Sequence, residues 1–263
     1  MSKIFFLGAG KMATAIAGGL VKSGLYQANE LAAFDVSDAA GQAFTAATGI
    51  APSALETAIQ ADVILIAVKP QVIAQALAPL KGKISDKLLI SIAAGVTIEK
   101  LFSLTDAARI IRVMPNTPAL VGAGAAAYAP SEKAAEEDIL LADKILNSVG
   151  MAFKVKESDL DAVTGLSGSG PAYVFEFIQA LADGGVAEGL PRDIATKLAA
   201  QTLLGAARMV LETGKHPNEL CDAVTSPGGT TSRGLELLAE KAVHGSIMQA
   251  VRAAAGRSRE LGK

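Results

Sequence analysis

The chain has 263 residues, 51% hydrophobic and 19% charged, enough for one large or two medium domains around a sizeable core. Twenty-four Lys and Arg against 26 Asp and Glu give a formal net charge of −2, with no basic stripe, which argues against a nucleic-acid partner. A single cysteine, Cys221, excludes an internal disulfide and cannot by itself build a zinc site, so no metal is expected.

The longest apolar stretches, such as residues 119–129, fall short of the ~20 residues a membrane span requires. Met1-Ser2-Lys3 leads directly into a strand pattern without a cleavable signal, and the expected setting is the cytoplasm.

In chain order, short apolar runs predict strands over 3–7, 31–34, 63–68, 88–92, 110–114 and 123–129, with a last one near 152–155. Helical patterns fill the gaps over 11–23, 38–48, 71–80, 98–102 and 131–148. This alternation predicts an α/β fold, a Rossmann-type doubly wound parallel sheet with right-handed crossovers. Ligands in such sheets sit at the carboxyl ends of the strands. That places residues 8–12, 35–37, 69–70, 93–95 and 115–118 around one cavity.

Beyond about residue 156 the strand signals stop. Ala- and Leu-rich helical patterns cover 172–188, 192–213, 218–224, 230–243 and 246–261. The expected division is a dinucleotide-binding domain over 1–155 and an all-helical, substrate-binding and dimerisation domain over 156–263. Gly184 and Gly185 inside the first of these helices each cost roughly 1 kcal/mol against Ala, which fits either close helix packing or simple tolerance.

Gly8-Ala9-Gly10-Lys11-Met12-Ala13 fits G-x-G-x-x-(G/A), with a strand before it, a helix after it and Asp35 closing the next strand. Gly8 permits the tight turn, Gly10 lets backbone approach a pyrophosphate, and Ala13 allows close helix–strand packing. The helix start then offers N–H groups and a partial positive charge to phosphate. A dinucleotide is the expected ligand of this loop.

The two histidines, His216 and His244, fall in loop-like segments away from strand ends and carry no orienting carboxylate, so they read as solvated. A ketone reductase normally wants a strong acid at the oxygen. An imine nitrogen is more basic and can arrive protonated, leaving orientation as the main task. Ser226-Pro227-Gly228-Gly229-Thr230-Thr231 opens a helix and makes a nest for a carboxylate, although the same residues would also serve as an N-cap alone. Gly165–Pro171 reads as a second small-residue loop, or only as a joint between domains.

Six ordered blocks carry a resemblance across nearly the whole chain. They are Gly8–Met12, Ala67-Val68-Lys69-Pro70, Ser91–Thr97, Arg112-Val113-Met114-Pro115-Asn116-Thr117-Pro118, Gly165–Tyr173 and Ser226–Thr231. In these the chain resembles the pyrroline-5-carboxylate reductases. The resemblance implies reduction of 1-pyrroline-5-carboxylate to L-proline by NADPH or NADH, with a helical domain that joins two chains in a homodimer, in some members a higher oligomer of dimers. It implies that Leu7, Gly8, Ala9, Gly10, Lys11 and Met12 hold the pyrophosphate. Ala67, Val68, Lys69 and Pro70, with Ile92, Ala93 and Ala94, would line the nicotinamide side. Ser226, Gly229, Thr230 and Thr231 would grip the substrate carboxylate, with the Thr231 hydroxyl at the ring nitrogen as the catalytic group.

Asp35 departs from the pattern, since the family commonly has a small hydroxyl residue there to accept the 2′-phosphate of NADPH. A carboxylate suits the ribose hydroxyls of NADH. From Ser23 to Val68 there is no Lys or Arg, leaving Ser37, backbone amides or Lys11 to meet a phosphate. Use of both cofactors is expected, with the NADPH preference lowered. The rival reading is a β-hydroxyacid-type dehydrogenase, but its Lys acid/base has no counterpart among residues 163–173.

Overall fold

A computed structural model of the chain describes residues 3–262; Met1, Ser2 and Lys263 lie outside them. One compact unit runs through Ser169 and is rejoined by the chain from Ala253 onward; the other is Gly170–Arg252.

The first unit is built on seven strands: β1 (Ile4–Leu7), β2 (Leu31–Phe34), β3 (Val63–Ile66), β4 (Leu88–Ser91), β5 (Arg109–Met114), β6 (Gly124–Pro130) and β7 (Gly150–Lys154). They pair in the order β2-β1-β3-β4-β5-β6-β7. Side chains alternate between two apolar layers. Ile4 and Phe6 pack with helices α1 (Lys11–Lys22), α2 (Asp38–Thr48) and α5 (Glu136–Asn147) on one face. Phe5 and Leu7 pack with α3 (Ile73–Leu77) and α4 (Ile98–Thr105) on the other. Burial on both faces explains why these strands read as unbroken apolar runs.

The register aligns Leu7 with Phe34 and Ile66, and Ile66 with Ser91, so the first four strands end at one edge. The chain steps from β1 to β2 on one side and to β3 on the other, which makes the crevice between β1 and β3 the switch point.

The sheet is not wholly parallel. β5 and β6 pair antiparallel, Val113 opposite Tyr128. Only a 3-10 turn over Thr117–Val121 separates them, too short for a crossover. A second difference lies at Gly165–Pro171, which forms no loop. The chain is helical from α6 (Leu160–Val163) through a π-helical turn over Thr164–Gly168 into α7 (Gly170–Ala187). Ser169 N–H donates to Thr164 O at 2.8 Å, while the Thr164 and Ser167 hydroxyls bond back to Leu160 O and Val163 O. The Asn116 amide anchors this turn by donating to Ser167 O at 3.0 Å, and its own Oδ1 accepts from Ala125 N–H at 2.8 Å.

The second unit contains α7, α8 (Arg192–Thr213), α9 (Pro217–Ala223), α10 (Thr230–Glu240) and most of α11 (Val243–Leu261), with no strand among its described residues. Gly185 is explained by packing: a β-carbon there would lie 3.3 Å from Ala195 and Leu190. Gly184 meets nothing within 4 Å. No helix among the described residues is long and apolar enough to cross a membrane.

Candidate active site

The loops after β1, β2, β3 and β4 are joined by backbone bonds. Gly8 N–H donates to Phe34 O at 2.8 Å, Ala67 N–H to Leu7 O at 2.8 Å, and Ile92 N–H to Ile66 O at 3.0 Å. These bonds bring Gly8–Met12, Asp35, Ser37, Ala67–Pro70 and Ile92–Ala94 to one edge. Leu7 itself faces the core, with its carbonyl engaged by Ala67, so it positions the loop and presents no side chain.

The two motif glycines differ in what requires them. Gly8 has φ +104°, and a β-carbon would stand 2.9 Å from the Ala67 carbonyl carbon and oxygen. Neighbouring backbone therefore dictates Gly8. A β-carbon on Gly10 would meet nothing within 4 Å. No group of the chain itself requires Gly10 to be bare; the open space above it fits a nucleotide pyrophosphate.

The start of α1 supports the same fit. Gly10 is its N-cap in extended conformation, no side chain caps it, and no acid lies in the first turn. Thr14 N–H is the first to bond inside the helix, to Gly10 O, so the N–H groups of Lys11, Met12 and Ala13 precede the helical ladder. α2 and α4 begin differently, capped by the Ser37 and Thr97 hydroxyls with Asp38 and Glu99 in their first turns.

α10 repeats the arrangement of α1. Gly229 is its N-cap (φ −79°, ψ 175°, against −75° and 177° at Gly10), again without a side-chain cap or an acid in the first turn. Capping by the threonine pair is therefore absent. Arg233 N–H reaches back to Gly229 O, which leaves the N–H groups of Thr230, Thr231 and Ser232 ahead of the ladder. Gly229 N–H donates to Ser226 O at 3.0 Å, so that residue contributes space rather than a donor. Ser226, Gly229, Thr230 and Thr231 thus share one tight turn, with Gly228 at φ +66°.

Lys69 is exposed, carries no ion pair among the described residues, and precedes Pro70, which holds it extended at φ −62° and ψ 144°. Pro70 and Ala94 line a cavity of about 450 Å³ with Gly95 and Leu261. His216 is a capping residue: its Nδ1 accepts from Asn218 N–H at 3.2 Å. His244 is exposed at the start of α11.

Residues 157–261 match the family described as pyrroline-5-carboxylate reductase dimerisation, and residues 3–95 match that described as NADP oxidoreductase, coenzyme F420-dependent. A pyrroline-5-carboxylate reductase of Methanosarcina acetivorans is 47% identical over 99% of this chain and 98% of its own length. The chain belongs to the pyrroline-5-carboxylate reductase family. The structure of a pyrroline-5-carboxylate reductase from Coxiella burnetii, 37% identical, superposes with a TM-score of 0.93 over 100% of this chain and 99% of that one. That of the Plasmodium falciparum pyrroline carboxylate reductase with NADP bound is 35% identical, with a TM-score of 0.88 over 100% and 98%. A β-hydroxyacid-type dehydrogenase is not favoured by these matches.

Two features of the reductase fold escape a reading of sequence. Thr45, which lines one cavity with Asp35, buries its Oγ1 without a hydrogen-bond partner among the described residues. Asn116 ties the β5–β6 turn to the π-helical turn. A polar residue between Pro115 and Thr117-Pro118 was a signal for the second; a threonine midway along α2 gave none for the first.

Proposed function

We infer that the chain carries out the reaction of its family, reducing the C=N bond of 1-pyrroline-5-carboxylate to give L-proline, the last step of proline biosynthesis, with NAD(P)H as reductant. The observation that carries the residue assignments is the pair of helices, α1 and α10, that begin on bare glycines. Each offers unpaired N–H groups and a positive dipole end to an anion.

At α1, Gly8 to Met12 receive the pyrophosphate, with Lys11 and Lys69 adding positive charge. Ala67 to Pro70 and Ile92 to Ala94 flank the nicotinamide, which when bound supplies a hydride to the imine carbon. At α10, the N–H groups of Thr230 and Thr231 hold the substrate carboxylate together with the Ser226 hydroxyl, which stands in the room that Gly229 leaves by having no side chain. The Thr231 hydroxyl accepts a hydrogen bond from the iminium N–H and fixes the ring. A neutral hydroxyl suffices because the iminium needs no further proton on accepting hydride. Catalysis here is orientation more than acid–base chemistry.

The division of labour follows the chain: a dinucleotide-binding domain over 1–155 and a helical substrate and dimerisation domain over 156–263. The helical unit exposes Phe175, Leu181, Leu198, Leu204, Leu237 and Met248, apolar surface suited to a homodimer interface. Dimers associating further would give a higher oligomer, which sedimentation resolves. We place the enzyme in the cytoplasm, supported by the lone Cys221.

The direct test is consumption of reduced nicotinamide by the purified protein. It should begin only on addition of pyrroline-5-carboxylate and yield one proline per nucleotide oxidised. No turnover with either nucleotide would refute the reading.

A further inference from the structure

Beside the glycine loop lies a cavity of about 250 Å³ whose lining includes Ala9, Asp35, Ser37, Asp38, Thr45 and Ser53. Asp35 is fixed at its rim by two backbone donors. Oδ2 accepts from Ala9 N–H at 2.8 Å and Oδ1 from Ser37 N–H at 2.9 Å. A carboxylate has about four lone-pair sites, so acceptor capacity remains on both oxygens. The same bond to Ala9 joins this carboxylate to the loop assigned above to the pyrophosphate.

Among the described residues no lysine or arginine lines the cavity, while a second carboxylate, Asp38, does. Val36, next to Asp35, is 91% exposed and apolar. Thr45 is part of the lining, and its Oγ1 is shielded from solvent with no hydrogen-bond partner among the described residues. These groups suit a neutral, hydroxyl-bearing ligand. The start of α2 gives a phosphate less than the start of α1 does. Ala40 N–H donates to Ser37 Oγ at 3.3 Å, which leaves two N–H groups, of Asp38 and Ala39, ahead of the helical ladder, with the Asp38 carboxylate in the same turn.

The geometry points to a subsite for the unphosphorylated adenosine ribose, so that this reductase selects NADH over NADPH; the inference rests on the reading of the chain as an NAD(P)H-dependent reductase. The ribose diol donates two O–H groups to a carboxylate already held in place. A 2′-phosphate brings only acceptors and a charge of about −2 against two carboxylates that are themselves acceptors. Selection works by repulsion as much as by attraction.

Calorimetric titration of the whole enzyme with NAD⁺ and NADP⁺, without imine substrate, reads the subsite independently of turnover. Steady-state kinetics with NADH and NADPH follow. NAD⁺ should bind about tenfold tighter or better, and kcat/KM should favour NADH by a similar factor carried by KM. Asp35→Ser should bring both ratios towards unity, and Asp35→Ser with Val36→Arg should invert them. Asp35→Asn, which keeps an oxygen for one of the two backbone donors, should fold with a melting temperature lowered by a few degrees at most and show a smaller shift. Equal or tighter binding of NADP⁺ by the wild type would overturn the inference, as would an unchanged ratio in Asp35→Ser. Selective NAD⁺ binding without any imine reduction would instead leave this subsite standing and remove the proposed reaction.

Discussion

A β-carbon at Gly229 would stand 2.3 Å from Ser226 Oγ and 3.1 Å from Ser226 O, so Ser226 occupies the room that any side chain at Gly229 would need. The hydroxyl assigned to the carboxylate and the glycine that opens α10 are thus one device. Gly229→Ala should displace Ser226 and lower kcat/KM for pyrroline-5-carboxylate by roughly a hundredfold, chiefly through KM, with the affinity for nucleotide unchanged. Steady-state kinetics and a nucleotide titration check both halves. Full activity in the variant would separate Ser226 from the substrate.

Thr231 carries the orienting role at the ring nitrogen. Thr231→Ala should lower kcat by roughly one to two powers of ten, within the range for a positioned proton-handling group. Thr231→Ser should retain most of it, and Thr231→Val should behave as Ala does. A kcat unaltered in Ala and Val variants would show the hydroxyl idle.

Gly8 and Gly10 should respond differently to the same substitution. Gly8→Ala forces φ +104° on a residue with a β-carbon and drives it into the Ala67 carbonyl, so it should cost on the order of 2 kcal/mol or more of stability. Gly10→Ala meets open space and should leave the melting temperature nearly unchanged while raising KM for the nucleotide. Equal thermal losses in both variants would contradict a ligand-imposed reason for Gly10.

The first residue of β5, Arg109, pairs with Asp138 on α5 through Nε at 2.9 Å and through a second guanidinium nitrogen. Asp138 is 3% exposed, and hydrogen bonds from Arg109, then from Ala135 N–H, hold its carboxyl below the ordinary value in spite of burial. A carboxyl depressed in the folded state contributes stability above its unfolded pKa, which is lost as pH falls through the folded one. Arg109→Met should therefore cost roughly 1.5–3 kcal/mol at neutral pH. The gap from wild type should narrow as the solution is acidified below the ordinary Asp range. Urea unfolding at neutral pH and in acid measures it; a gap independent of pH would refute the pairing.

Tyr128 gives the opposite limb. Burial first, then its bond to Asp143, pushes the phenol up to about 12. A raised phenol pKa leaves the unfolded chain ionised first, so folded stability should decline as pH rises from the ordinary tyrosine value towards the folded one. Tyr128→Phe should flatten that decline in an alkaline stability profile; an unchanged slope would place its cause elsewhere.

Much of the cofactor half was legible in sequence because its strands are buried on both faces and each ends in a distinctive loop. The strand-end positions of Gly8, Asp35, Lys69-Pro70 and Ala93–Gly95 place them at one edge from the strand pattern alone. What sequence could not give depends on contacts between distant segments. Gly165, Ser167 and Gly168 carry a loop-like composition. The structure makes them a helical turn that Asn116 anchors at Ser167 O, and Gly168 leaves room for Met114, whose Cε would lie 2.4 Å from a β-carbon there. Reversal of β6 followed from the brevity of the 3-10 turn before it, which an Ala/Gly-rich segment does not reveal.

At the carboxylate nest, composition left capping and binding as equal readings, and the missing side-chain cap at Gly229 supports the proposal of binding. The open acceptor sites of Asp35 and the idle Thr45 hydroxyl are likewise three-dimensional facts.

The most direct measurement is a crystal structure of the enzyme with L-proline and the oxidised nucleotide. The proline carboxylate should lie within hydrogen-bond distance of the Thr230 and Thr231 amides and the Ser226 hydroxyl, with the ring nitrogen beside Thr231 Oγ1. Proline bound elsewhere, with the turn at Gly229 vacant, would contradict the account.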